Sequence, residues 1–114
     1  MMDYVIKNTD LAGNQFSRTF EGYLHHAVNI SFFVNDSPPG SGPALHSHPY
    51  AEVFVIQSGQ LTFTVGDQTI EVSGENVVIV PPNTPHKFIN SGTETAHHID
   101  IHTSAQMVTT WLEE

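Results

Sequence analysis

Strict alternation of apolar and polar residues, cut into short runs by glycine turns, constrains this chain more than anything else in it. The run LTFTV, Leu61 to Val65, sets Leu61, Phe63 and Val65 against Thr62 and Thr64. AVNISFFV, Ala27 to Val34, predicts a strand with Val28, Ile30, Phe32 and Val34 on one side. HHIDIH, His97 to His102, alternates Ile99 and Ile101 with His98, Asp100 and His102. Period two in runs rich in β-branched and aromatic residues predicts strands. SGQ at 58–60, GDQ at 66–68, SGE at 73–75 and SGT at 91–93 fall between the runs and supply the positive-φ positions of tight turns. Such close turn spacing predicts an all-β sandwich or barrel rather than alternating βαβ units. The tail MVTTWLEE, Met107 to Glu114, reads equally as a short helical turn or an edge strand, and NDSPPGSGP, Asn35 to Pro43, as a loop. At 114 residues, one domain spanning 1–114 is expected.

Charge narrows the partners. Twelve acids against three bases give a net charge of −9, and the bases Lys7, Arg18 and Lys87 are scattered. Phosphate backbones and anionic membranes need clustered Lys and Arg, so neither is an expected partner. There is no cysteine, which excludes disulfides, thiolate metal sites and Cys nucleophiles. The start, MMDYVIKNTD, lacks the apolar run of a secretory signal and places an acid at Asp3. The longest apolar stretch, Val77 to Val80, is far short of the ~20 residues a membrane helix needs. A cytoplasmic location is the default expectation.

Histidine is the abundant functional residue, eight in all. His46 and His48 are two apart and project to one face of extended backbone. Glu52 keeps that parity, as do Phe54 and Ile56 after it. Downstream, His86 shares parity with Phe88 and Asn90. Three imidazoles and a carboxylate suit a divalent first-row metal, and four protein ligands leave an octahedral ion two open positions for substrate or oxygen.

The spacing of these residues resembles the cupin superfamily. That family's first motif runs Gly, five residues, His-x-His, three or four residues, Glu, six residues, Gly. Here Gly40, His46, His48, Glu52 and Gly59 stand at those positions. The second motif is matched by Gly74, Pro81, His86 and Asn90, with two departures. One extra residue separates Gly74 from Pro81, and Asn83 stands where Gly is usual; Asn also tolerates positive φ. Motif one thus spans 40–59 and motif two 74–90. The resemblance implies a double-stranded β-helix, a small jelly-roll barrel of the cupin fold that is often a homodimer. It implies metal ligation by His46, His48, Glu52 and His86, with one divalent transition metal (Fe, Mn, Ni, Cu or Zn) as cofactor.

Other residues divide between function and packing. His98, Asp100 and His102 are expected on a solvated outer face, with Ile99 and Ile101 turned to the core; the alternative is a row of groups behind the metal ligands. His25 and His26 are expected at the surface. Tyr50 either donates a hydrogen bond to substrate or metal-bound water, or packs on the proline-rich loop. Phe54, Phe63 and Phe88 are expected in the core. Trp111 is a cap over the barrel bottom or a dimer contact. Lys87 should point away from the site, leaving Arg18 as the one base able to reach it, so the ligand is expected to be a neutral enolic or phenolic small molecule. The first functional expectation is a metal-dependent dioxygenase with Glu52 as general base. The alternatives are a non-catalytic metal- or small-molecule-binding module, and an isomerase or lyase.

Overall fold

Residues 4–113 are described in a computed structural model; Asp3 and Glu114, both used above, lie outside them. The described residues form eleven strands: β1 (Ala12–Gly13), β2 (Ser17–Glu21), β3 (Ser31–Ser37), β4 (His46–Ser47), β5 (Glu52–Ser58), β6 (Gln60–Val65), β7 (Gln68–Ser73), β8 (Val77–Val80), β9 (His86–Asn90), β10 (Ala96–His102) and β11 (Thr110–Trp111). Two single-turn 3₁₀ segments, Asn8–Asp10 and Gly22–Leu24, complete the regular structure. The strands pair antiparallel in two sheets, ordered β1-β2-β3-β10-β5-β8 and β11-β4-β9-β6-β7. This is the double-stranded β-helix expected from the sequence. No helix among the described residues is long and apolar enough to cross a membrane.

The turns fall where the glycines do, and conformation explains two of them. Gly59 takes φ +94°, and a Cβ there would stand 2.7 Å from Ala96 Cα, so the β5–β6 turn needs glycine twice over. Gly40 takes φ +81° in open space, so only its backbone angle matters. Asn83 carries φ +61°, so it does the work of the glycine it replaces, and its N–H bonds His48 O at 2.7 Å.

One half of the barrel follows the alternation. Phe54, Ile56, Leu61, Phe63, Val78, Val80, Phe88 and Ala96 form the core, so all three phenylalanines lie where expected. The other half inverts it. In β10, His98, Asp100 and His102 are 0%, 3% and 3% exposed, whereas Ile99 and Ile101 are only half-buried on the outer face. The expected solvated row therefore faces the interior. The reason is position: β10 lies between β3 and β5, and its polar side lines the ligand cavity rather than the close-packed end. β3 corrects the sequence reading in the same way. It begins at Ser31, after a turn in which His26 and Ala27 take φ near +59° and +56°, so Val28 and Ile30 stay exposed. Ser31 and Asn35 point inward, while Phe32 stacks on Phe20 with ring centroids 4.8 Å apart. His26 is exposed and His25 stacks on Phe20. The tail takes its strand alternative: Thr110 and Trp111 pair with Ser47 and His46.

Candidate metal centre

Two sheets bring the centre together. His46, at the start of β4, pairs across to His86 at the start of β9 in one sheet. Glu52 opens β5 in the other, opposite His102 of β10. His48 follows β4 on the chain segment leading into β5. One ligand atom from each of His46, His48, Glu52 and His86 lies within 4.8 Å of the others, and all four residues are buried. The four sequence-predicted ligands therefore converge on one point.

Backbone carbonyls set the proton positions. The Nδ1–H groups of His46, His48 and His86 donate to the carbonyls of Ala44 (2.7 Å), Val108 (2.8 Å) and Thr84 (2.8 Å). A carbonyl can only accept, so each Nδ1 carries a proton and each neutral ring turns an Nε2 lone pair inward. Nε2 of His48 and Nε2 of His86 both stand 3.1 Å from Glu52 Oε1. With neutral rings, that is lone pair facing carboxylate oxygen. His48 Nε2 is buried without a hydrogen-bond partner. Such an arrangement calls for positive charge between the groups, and the N₃O donor set fits a divalent transition metal.

Electrostatics favour this arrangement at Glu52 and His46 and oppose it at His48. Burial pushes the Glu52 carboxyl up, but the ring nitrogens of His102, His48 and His86 outweigh it and hold the group well below the usual carboxylate range. Burial lowers His46, favouring the neutral ring that ligation needs. His48 is raised: burial opposes protonation, but Glu52 and the Val108 carbonyl overcome it.

Behind Glu52 lies a contact that spacing alone leaves open. His102 Nε2 is 3.2 Å from Glu52 Oε2, and its Nδ1 is 2.7 Å from the Tyr50 hydroxyl. The Tyr50 oxygen accepts from Val108 N–H at 3.2 Å, and because the Glu52 carboxylate can only accept from His102 Nε2–H, the Tyr50 O–H donates to the neutral ring's Nδ1. Tyr50 thus points at His102 rather than at substrate or the proline loop. Strand parity did place His98, Asp100 and His102 on one face; it did not say which face.

The centre opens into a cavity of about 450 Å³, lined among others by Phe33, Phe54, Phe88, Met107 and Trp111. Trp111 lines this cavity, its ring 5.0 Å from that of His46. Among the described residues no Lys or Arg lines the cavity. Arg18 instead donates to the Thr9 carbonyl, and Lys87 bonds Glu113 on the outside.

Comparison with known proteins agrees with the architecture. The cupin domain family matches residues 33–102. The H2HPP isomerase of Bacillus subtilis is 35% identical over 65 residues, covering 56% of this chain and 28% of that protein. An uncharacterised protein of Methanocaldococcus jannaschii is 36% identical over 70 residues, covering 60% of this chain and 56% of its own length. The chain thus spans from about a quarter to just over half of these curated relatives. Among solved structures, oxalate decarboxylase from Bacillus subtilis superposes with TM-score 0.82 at 18% identity, over 94% of this chain and 31% of that one. An uncharacterised conserved protein with a double-stranded β-helix domain from Klebsiella pneumoniae gives 0.74 at 17% identity, over 99% and 100%. At such identities the superpositions speak to fold alone. With more than half its length matched, and the family's two motifs meeting in one buried cluster, the chain belongs to the cupin family.

Proposed function

We propose that the chain is a metal-dependent enzyme that moves a proton on a neutral, enolisable small molecule, with Glu52 as general base. The observation that carries this is the two-sided environment of one carboxylate: Oε1 faces the imidazoles of His48 and His86, while Oε2 accepts from His102. A divalent ion held by His46, His48, Glu52 and His86 would polarise a substrate carbonyl and acidify the neighbouring C–H. Glu52 would take that proton at Oε1 once this oxygen leaves the ion, while Oε2 stays on His102. His102, held by Tyr50, keeps the carboxylate oriented during the transfer. The apolar wall and the absence of a lining Lys or Arg favour an uncharged ligand, since phosphates and dicarboxylates normally meet an Arg fork or a Lys. Similarity to an isomerase points the same way.

A dioxygenase is the second reading: the cluster offers four donors, and an octahedral ion held by them would keep two positions for substrate and oxygen. One experiment separates the two. Metal-loaded protein is incubated in D₂O under argon with neutral α-hydroxyketones, and carbon-bound deuterium is followed by NMR. Oxygen uptake is then recorded with phenols and 1,3-diketones. Glu52-dependent exchange without oxygen supports the proton-transfer enzyme. Oxygen consumption without exchange supports the dioxygenase. Silence in both, with the metal still bound, indicates a non-catalytic binding module.

A further inference from the structure

A second group of polar side chains lines the same cavity away from the metal centre. Asn35 Nδ2 donates to Asp100 Oδ2 at 2.8 Å, and His98 Nδ1 lies 2.6 Å from Asp100 Oδ1. At its other end His98 Nε2 is 2.8 Å from the Ser37 hydroxyl. His98, Asp100 and Asn35 are 0%, 3% and 8% exposed. Ser37, Asn35 and Asp100 all line the cavity. Ser37 is also fixed through its backbone, because buried Asn90 of motif two donates Nδ2 to the Ser37 carbonyl at 2.8 Å. Beside it, Ser41 lines the cavity with its own O–H committed to the Pro38 carbonyl at 2.7 Å.

The chain of bonds fixes what this wall offers. A serine hydroxyl has one proton and two lone pairs. His98 uses one of these, whichever ring nitrogen carries the proton, and Ser37 keeps hydrogen-bonding capacity toward the cavity. Ser41, its proton spent, offers only an acceptor. A ligand hydroxyl satisfies this pair in either proton arrangement of the His98–Asp100 pair; an ether satisfies it in one arrangement and leaves Ser41 unmet. Distance gives the length of such a ligand. His98 lies four residues before His102 on β10, roughly 13 Å along the strand at about 3.3 Å per residue. Phe33, Phe54 and Phe88 line the same cavity.

We propose that Ser37, with Ser41 beside it, forms a hydroxyl-recognising subsite at the end of the cavity away from the metal cluster. The ligand is an elongated, uncharged molecule with an oxygen function at one end, a flat apolar body and a hydroxyl at the other. The proposal deepens the functional reading above, since the first oxygen function is assigned to the metal centre.

Three neutral probes test it: 1-(4-hydroxyphenyl)butane-1,3-dione, its 4-methoxy analogue and unsubstituted 1-phenylbutane-1,3-dione. Binding is measured by calorimetry with the metal-loaded and the chelator-stripped protein. The 4-hydroxy compound should bind roughly three- to tenfold more tightly than the unsubstituted one, the worth of one neutral hydrogen bond. Ser37→Ala should bring that ratio to one without weakening the unsubstituted probe, and Ser37→Thr should retain the preference. Equal binding of hydroxy and methoxy probes, a preference that survives Ser37→Ala, or no binding by any probe overturns the subsite. A hydroxyl preference that persists unchanged after metal removal supports the subsite and defeats metal anchoring. Metal-dependent binding of all three alike does the reverse.

Discussion

His102 holds Glu52 from behind: its Nε2 lies 3.2 Å from Oε2, while His48 and His86 approach Oε1. With Nδ1 engaged by Tyr50, the proton of neutral His102 sits on Nε2, the reverse of the three imidazoles in front. His102 is therefore a donor to the carboxylate and not a ligand. Groups that orient a ligating carboxylate typically contribute 10- to 100-fold in metal affinity, so His102→Ala should weaken binding by roughly that factor. Tyr50→Phe should act in the same direction and less strongly. Titration against a competing chelator reads both. Loss of metal as complete as in a ligand deletion would make His102 a fifth ligand.

His46→Ala and His86→Ala should each abolish stoichiometric metal, read by elemental analysis of the purified protein. They should also lower the melting temperature relative to metal-loaded wild type. At free metal one hundred times Kd, the ion stabilises the native state by about 2.7 kcal/mol. Unchanged metal content in both variants would defeat the four-ligand assignment.

Removing His98 should separate stability from metal binding. His98→Ala leaves Asp100 buried without its ring partner, a loss expected to cost about 3 kcal/mol in urea unfolding. Metal content should stay near that of wild type, because His98 bonds Ser37 and Asp100 and no member of the cluster.

The same carboxyl sets a pH dependence. Burial pushes Asp100 above its ordinary value, partly offset by His98. A folded-state pKa above the unfolded one means that the native state binds more protons between the two. Its contribution is then fully present below the unfolded value near 3.8 and is lost as pH rises through the raised folded value. Asp100→Asn should remove that slope, so wild type minus variant stability should fall with rising pH across this window. A difference that rises with pH would contradict the assignment.

The outer face of the larger sheet predicts association. Cross-strand registers align Phe20, Phe32, Ile101, Val53 and Ile79 in one row, and Val34, Ile99, Val55 and Val77 in the next. Ile79 and Val77 are 68% and 57% exposed. Monomeric proteins rarely leave so continuous an apolar strip open. A homodimer covering this face is expected by light scattering at micromolar concentration, with Ile79→Lys shifting it to monomer. A monomeric wild-type mass would remove it.

The strands around the candidate metal centre were legible because alternation and motif spacing agree there. Leu61, Phe63 and Phe88 face the core as their parity predicts, and His46, His48, Glu52 and His86 share one interior. Parity says which residues go together and not which way they go. In β3 and β10 the usual assumption that apolar residues point inward chose the wrong side. Asn35, Asp100 and His102 lie on the cavity wall, and the isoleucines and Phe32 then take the outside. Tyr50 was singled out, but its partner His102 lies 52 residues away, beyond any local pattern.

Three carbonyl hooks, at Ala44, Thr84 and Val108, aim the imidazoles through bonds in which no ion takes part. Such ties do not depend on the cation, so they should outlast its removal. Chelation would then leave an intact barrel that refills readily, rather than a collapsed chain that must fold anew.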